Sequence, residues 1–272
     1  MPKTSLVGGV LLALFSAIAV FSSVLAPYPP LAYTGSPLES PSVRHLLGTN
    51  GTGQDILSQL IYGSRVSLPI ASGTALCGTL VGAGLGLTAG MQRGLADRLV
   101  MRLVDVFLTI PHLPLMLLLA ACFPPRLLTM MMVLTLVSWP LEARLVRSQV
   151  LQLRNREYLE SAWLAGGTKY YLARRYILPD LAPLLLAQLI VRASWAVLAE
   201  SGLAFLGLGD PTAKSWGMML KEALDCPTIY FVPAWRWWLL PPGVCITLLV
   251  LALTALGHGL EEKYNPMLNR RK

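Results

Sequence analysis

Six stretches of this chain meet or approach the roughly 20 mostly apolar residues that a helix needs to cross a bilayer. They are Ser5–Ala26, Ser67–Met91, Leu99–Phe123, Leu127–Leu141, Leu181–Leu206 and Trp237–Leu256. A chain of 272 residues with 54% hydrophobic and only 13% charged residues is far more apolar than a soluble domain. The pattern predicts an all-α integral membrane protein with six transmembrane helices. The fourth stretch is the shortest, and it has the option of running on through Trp139-Pro140 as one kinked helix.

The formal net charge of +8 does not point to nucleic acid. Its Lys and Arg residues gather between the apolar stretches, and no zinc-type or stacking-aromatic module accompanies them. Membrane topology explains them better. With a cytoplasmic N-terminus, the inner segments hold Lys3, the group Arg93, Arg98 and Arg102, a large island with Arg144, Arg147, Arg154, Arg156, Lys169, Arg174 and Arg175, and the basic tail. The outer segments hold fewer: Arg44, Arg65, Arg126, Lys214, Lys221 and Arg236. That asymmetry places both termini in the cytoplasm of a multi-pass protein in the cell membrane. Lys3 ahead of the first apolar run also fits a secretory signal, although the run is longer than a typical signal core.

Residues 1–272 therefore read as a single transmembrane domain. A first span (5–26) is followed by an extracytoplasmic loop (27–66), then a five-span core (67–258) interrupted by the cytoplasmic island 142–180, then a cytoplasmic tail (259–272). The loop's proline and glycine density, from Pro27 to Gly53, argues for irregular structure. Ile56 to Tyr62 has helix-compatible apolar spacing and suits an interfacial segment. In the second span Gly78, Gly82, Gly86 and Gly90 line one helix face and admit close approach by another helix, within one subunit or between two.

Chemistry-bearing residues are sparse. Cys77, Cys122, Cys226 and Cys245 form no CxxC pair, His45, His112 and His258 lie far apart, and no nucleophile elbow is present, so neither a metal site nor a catalytic centre is expected. Met116, Met130 to Met132, Met218 and Met219 read as packing residues before they read as metal ligands. Asp105 and His112, seven residues apart beside Pro111 and Pro114, are candidates for a translocation path. So is Glu200, eight residues from Arg192, because ionisable groups at membrane depth face a bundle interior. The alternatives are pairing of Asp105 with Arg102 and ion pairs across helices for Arg192 and Glu200. No stretch supplies a Walker-type phosphate loop, so any ATP that drives this protein is hydrolysed by a partner.

The island, Glu142 to Asp180, carries the sharpest local pattern. Tyr158 to Ala165 can form about two helical turns, Gly166-Gly167 is a natural stop, and a second helical stretch, Tyr170 to Ile177, is ended by Pro179. Two short helices would expose a knob; alternatively, the island is a basic loop resting on anionic lipid headgroups.

Glu160-Ser161-Ala162, then Gly166, then Ile177-Leu178-Pro179 resembles the EAA loop of permease subunits in binding-protein-dependent ABC importers. More specifically, the chain resembles the second, C-type permease of the dipeptide, oligopeptide and nickel class. Further blocks agree: His45 to Thr49 with Gln54 to Ser58 and Tyr62 to Leu68; Met101 to Asp105 with Pro111; Ala143 to Arg147 with Arg156-Glu157-Tyr158; Glu200 with Phe205 to Gly209 and Ser215-Trp216-Gly217; and Leu256 to Leu260 with Asn265-Pro266. Ser161 stands where alanine is usual, and Tyr176 where Ile or His is commoner. Asn50 to Gln54 replaces a more charged loop, so binding-protein contacts are not carried over to it.

The resemblance implies a type I importer permease that pairs with a second permease and presents a coupling helix (Glu160, Ser161, Ala162 and Gly166) to two cytoplasmic ATP-binding subunits. An extracytoplasmic binding protein would deliver short peptides, nickel or a metal–ligand complex, and segment 210–238 would cap the outer mouth. ATP and magnesium would belong to the partners, leaving this chain without catalytic residues. The competing reading is a self-sufficient secondary transporter or channel that uses Asp105, His112, Arg192 and Glu200 as an ion path.

Overall fold

The computed structural model describes residues 3–92 and 94–264. In chain order the helices are α1 (Lys3–Val20), α2 (Ser22–Leu25), α3 (Ile56–Gln92), α4 (Leu95–Thr109), α5 (His112–Cys122), α6 (Leu127–Arg154), α7 (Glu157–Leu164), α8 (Lys169–Leu172), α9 (Leu178–Leu203), α10 (Trp216–Asp225), α11 (Trp235–Trp238) and α12 (Leu240–Tyr264). Two isolated antiparallel bridges, Tyr33 to Gln54 and Thr49 to Asp55, are the extended pairing among the described residues. Asn265-Pro266 and the rest of the expected tail end lie outside them, as does Arg93.

Four helical stretches are long and apolar enough to span a membrane: Ile56–Gln92, Leu127–Arg154, Lys169–Leu208 and Trp235–Leu260. The expected third span, Leu99–Phe123, is not one straight helix. It is the pair α4 and α5, bent by 93° at Ile110-Pro111, and counts as a fifth span only if the pair crosses together. The cause is local: Pro111 has no N–H to continue the ladder, and Ile110 before it is extended at ψ 127°. The first apolar stretch is helical to Val20 and stops short of the expected Ala26, with one further turn in α2.

One element runs longer than its sequence suggests, and another takes the longer of the two courses the sequence left open. Ile56 to Tyr62 is no separate interfacial segment; it is the first two turns of the 37-residue α3. Gly63 lies within that helix and makes room for the Trp216 indole: a Cβ there would lie 2.6 Å from the ring. Likewise α6 passes through Pro140 and carries the fourth span on to Arg154.

The helix α3 is the axis of the bundle, with α6 against one face and α9 against another. The glycine ridge works inside the subunit. A Cβ on Gly78 would meet the Ser138 hydroxyl at 2.6 Å, one on Gly82 the Glu142 Cβ at 2.5 Å, one on Gly86 the Ala143 carbonyl at 2.5 Å and one on Gly90 the Val150 side chain at 2.7 Å. Four glycines one turn apart thus let the α3 and α6 backbones approach to a separation that any larger residue would prevent. On the other side, Phe15, Ala71, Ala75, Ala196, Val197, Trp216, Met219 and Leu249 form the largest buried cluster, which joins α1, α3, α9, α10 and α12.

Candidate functional site

Glu142 to Arg154, read as the start of the island, continue α6 within the bundle, and the rest of the island begins where α6 ends. Arg154 donates to the carbonyls of Gly90 (2.8 Å) and Met91 (3.2 Å), so it closes the C-terminal end of α3 while terminating α6. After Asn155 and Arg156 the chain enters α7, whose Leu159 is its one buried side chain. Gly166 sits at φ +88°. The Gly167 amide donates to the Ala162 carbonyl (3.1 Å) and the Gly166 amide to that of Trp163 (3.0 Å). This is the paired-bond stop in which a left-handed glycine satisfies the last carbonyls of a helix.

Thr168 then caps α8, its hydroxyl accepting from the Tyr171 amide. Pro179 does not end the second helical stretch. A π turn, Ala173–Ile177, joins α8 to α9, with the Leu178 amide bonded to the Ala173 carbonyl, and Pro179 lies in the first turn of α9. The wider turn relocates the bonding around a residue with no N–H, so the helical stretch Lys169–Leu208 runs on through the proline.

The four expected coupling residues sit together on this element. Glu160, Ser161 and Gly166 are exposed and Ala162 is half-buried. The Ser161 hydroxyl donates to the Glu157 carbonyl (2.9 Å), so it turns back along the helix and leaves the surface small and smooth. Glu160 borders a groove of about 330 Å³ floored by Met91, Leu159, Leu172 and Ile177, with Arg154 and Trp163 on its walls. Trp163, Leu164, Tyr170 and Tyr171 are exposed around it, Leu164 at 82%. Tyr158 donates to the Asp180 carboxylate at 2.5 Å. Burial, and then that bond, push the Tyr158 phenol above its usual value, so it remains a donor at neutral pH.

At the opposite end of the bundle the expected irregular loop is an ordered polar knot. Asp55 accepts from the Ser58 amide (2.8 Å) and hydroxyl (2.7 Å) on one oxygen and faces His45 Nδ1 at 2.9 Å on the other. Gln54 Oε1 accepts from Asn50 (3.0 Å) and Gln59 (2.6 Å), while Gln59 also donates to the Pro30 carbonyl. The segment 210–238 is fastened to this knot and to α3. Ser215 caps α10, the Trp216 indole donates to the Leu60 carbonyl (2.9 Å), and Trp237 and Trp238 lie over Gly48 and Gly51. Between loop and segment lies a polar cleft of about 440 Å³ that includes Tyr33, Asn50, Thr52, Lys214, Glu222 and Asp225.

The intramembrane candidates are not brought together. Asp105 pairs with Arg144 of α6 instead of Arg102, and the bend at Pro111 takes His112, exposed at the start of α5, off the helix face that carries Asp105. Glu200 is 2% exposed, and its carboxylate accepts from Ser201 (3.4 Å) and Ser67 (3.5 Å). Arg192 does not face Glu200; it pairs with Glu142 at 3.4 Å. Sequence reasoning missed Glu142 as a buried group and missed the Asp97–Arg147 pair (2.5 and 2.7 Å) that holds α4 to α6. An acidic residue three positions after Trp139 in an apolar helix was the available signal. Met116 and Met130 sit in an apolar cluster with Ile70, Val133, Leu134 and Leu203.

Comparison with known proteins gives a consistent result. Residues 82–269 match the family described as binding-protein-dependent transport system inner membrane component. The di/tripeptide transport system permease protein DppC of Pseudomonas aeruginosa (strain UCBPP-PA14) is 36% identical over 274 residues, covering 98% of this chain and 89% of the relative. A Brucella suis biovar 1 (strain 1330) protein with a provisional peptide transport system permease name is 36% identical over 258 residues, covering 92% and 85%.

Proposed function

Since this chain belongs to the family of binding-protein-dependent transport system inner membrane components, we propose that it forms half of the translocation pathway of an ATP-driven importer of short peptides. In this reading it crosses the membrane six times with both termini in the cytoplasm, α1 and the bent pair α4–α5 each supplying one crossing. It pairs with a second homologous permease, receives cargo from an extracytoplasmic binding protein at the polar cleft and segment 210–238, and is driven by two ATP-binding subunits that hold the ATP and magnesium. Peptides are favoured over nickel because the relatives are named for peptide and di/tripeptide transport.

The observation that carries the reading is α7. An eight-residue helix rooted by one buried leucine, with Glu160 beside an open groove and Trp163 and Leu164 exposed, is built to be covered by another protein. Glu160, Ser161, Ala162 and Gly166 form that contact, and Asp105, His112 and Glu200 remain candidates for the path. A self-sufficient ion path has weaker support, because Asp105 and Arg192 are each paired with another residue and do not join His112 and Glu200 in one chain.

Replacing Glu160 by Lys in the assembled complex tests the reading. Substrate-stimulated ATP hydrolysis is expected to disappear while the purified variant keeps its helical content. Full retained stimulation would remove the docking role. Purification of this chain as a transport-competent single polypeptide would overturn the importer reading altogether.

A further inference from the structure

The island hangs from two arms, α6 and α9, and these arms touch each other far less than each touches α3. One ionic contact bridges them directly: Arg192 Nε to Glu142 Oε2, 3.4 Å. Glu142 is completely buried, and Arg192 keeps only 13% of its side chain exposed. The position is set by the glycine ridge, because the Glu142 Cβ and Cγ lie where Gly82 has no side chain. By helix rise, the pair stands roughly 18 Å along α6 from its end at Arg154 and roughly 21 Å along α9 from Leu178.

The contact is also incomplete. Glu142 Oε1 has no hydrogen-bond partner among the described residues, and a single long contact is poor return for two desolvated charges. If stability alone were selected, an apolar pair of the same size would serve as well or better. We propose that Glu142 and Arg192 are positioning residues for coupling: a strut that makes α6 and α9 move as one body when the island is displaced. This inference rests on the importer reading above. Without the strut, motion of α7 would be absorbed as displacement of the two arms relative to each other, since each packs more on α3 than on the other. With it, the motion reaches the outer halves of both spans.

The test uses the whole assembly, with the second permease, ATP-binding subunits and binding protein reconstituted in liposomes, and reads peptide taken up per ATP hydrolysed. The double variant E142M/R192M replaces the charges by apolar side chains of similar length. It is expected to assemble and keep basal ATP hydrolysis, while uptake per ATP falls about tenfold, a typical size for a coupling interaction. E142Q, which keeps shape and loses charge, is expected to assemble normally and show a smaller loss of the same ratio.

Wild-type uptake per ATP in E142M/R192M overturns the proposal. Should the double variant fail to assemble, E142Q decides: a reduced ratio with normal basal hydrolysis supports the strut, and an unchanged ratio makes the pair a folding element only. Absence of ATP-dependent uptake in the unmutated assembly would instead mean that the importer reading itself has failed.

Discussion

The loop before α3 and the island after α6 both turn on a left-handed glycine, both carry polar residues and both interrupt apolar spans, yet they are built in opposite ways. In the outer loop His45, Thr49, Asn50, Gln54, Asp55, Ser58 and Gln59 are all buried, and their side chains bond to one another and to the backbone. In the island Glu160, Ser161, Trp163, Leu164 and Tyr170 face outward, and Leu159, Leu172 and Ile177, with the Tyr158–Asp180 bond, hold the two short helices down. A buried polar network whose members bond to one another makes a rigid element. A surface that leaves its apolar side chains uncovered fits the partner contact proposed for α7.

The contrast sharpens at single residues. Asp55→Ala should have the largest effect, about 3–5 kcal/mol of lost stability, because it strands His45 and the Ser58 donors in a buried site. Thermal unfolding in detergent would measure it, and a loss under 1 kcal/mol would mean that the knot is not a structural unit. Gly53→Ala should come next at about 3 kcal/mol, combining left-handed strain with overpacking. Its φ is +82°, and a Cβ there would run into the Gly35 carbonyl.

Gly166→Ala tests the same strain without the collision. Its φ is +88° with nothing near the missing Cβ, so it should lose only about 1 kcal/mol. Equal losses at Gly53 and Gly166 would break the comparison. The smallest effect is expected at Glu160→Lys, where the exposed side chain should shift unfolding by less than about 0.5 kcal/mol even as coupled ATP hydrolysis is lost.

Much of this was legible along the chain. The positions of α3, α6, α9 and α12 follow from apolar runs, and the stop at Gly166 follows from a residue that tolerates positive φ. Other features escaped for identifiable reasons. Ile56 to Tyr62 reads as an interfacial segment, and only its packing against the segment that carries Trp216, far away in sequence, shows it to be the start of α3. Asp105 has Arg102 at helical spacing, yet Arg144 comes within reach because α4 lies across α6. Pro179 reads as a stop, and a π turn carries the helix through it.

By itself the sequence determined that this is a helical membrane protein with a basic island and no phosphate loop of its own, because hydropathy, charge and backbone-limiting residues act locally and add along the chain. The tertiary structure alone decided that the outer loop is a buried knot, that the glycine ridge packs within the subunit against α6, and that Arg192 belongs to Glu142 and not to Glu200. Those choices depend on which helix faces meet at a few ångströms. Contact energies between distant residues leave no mark on local spacing.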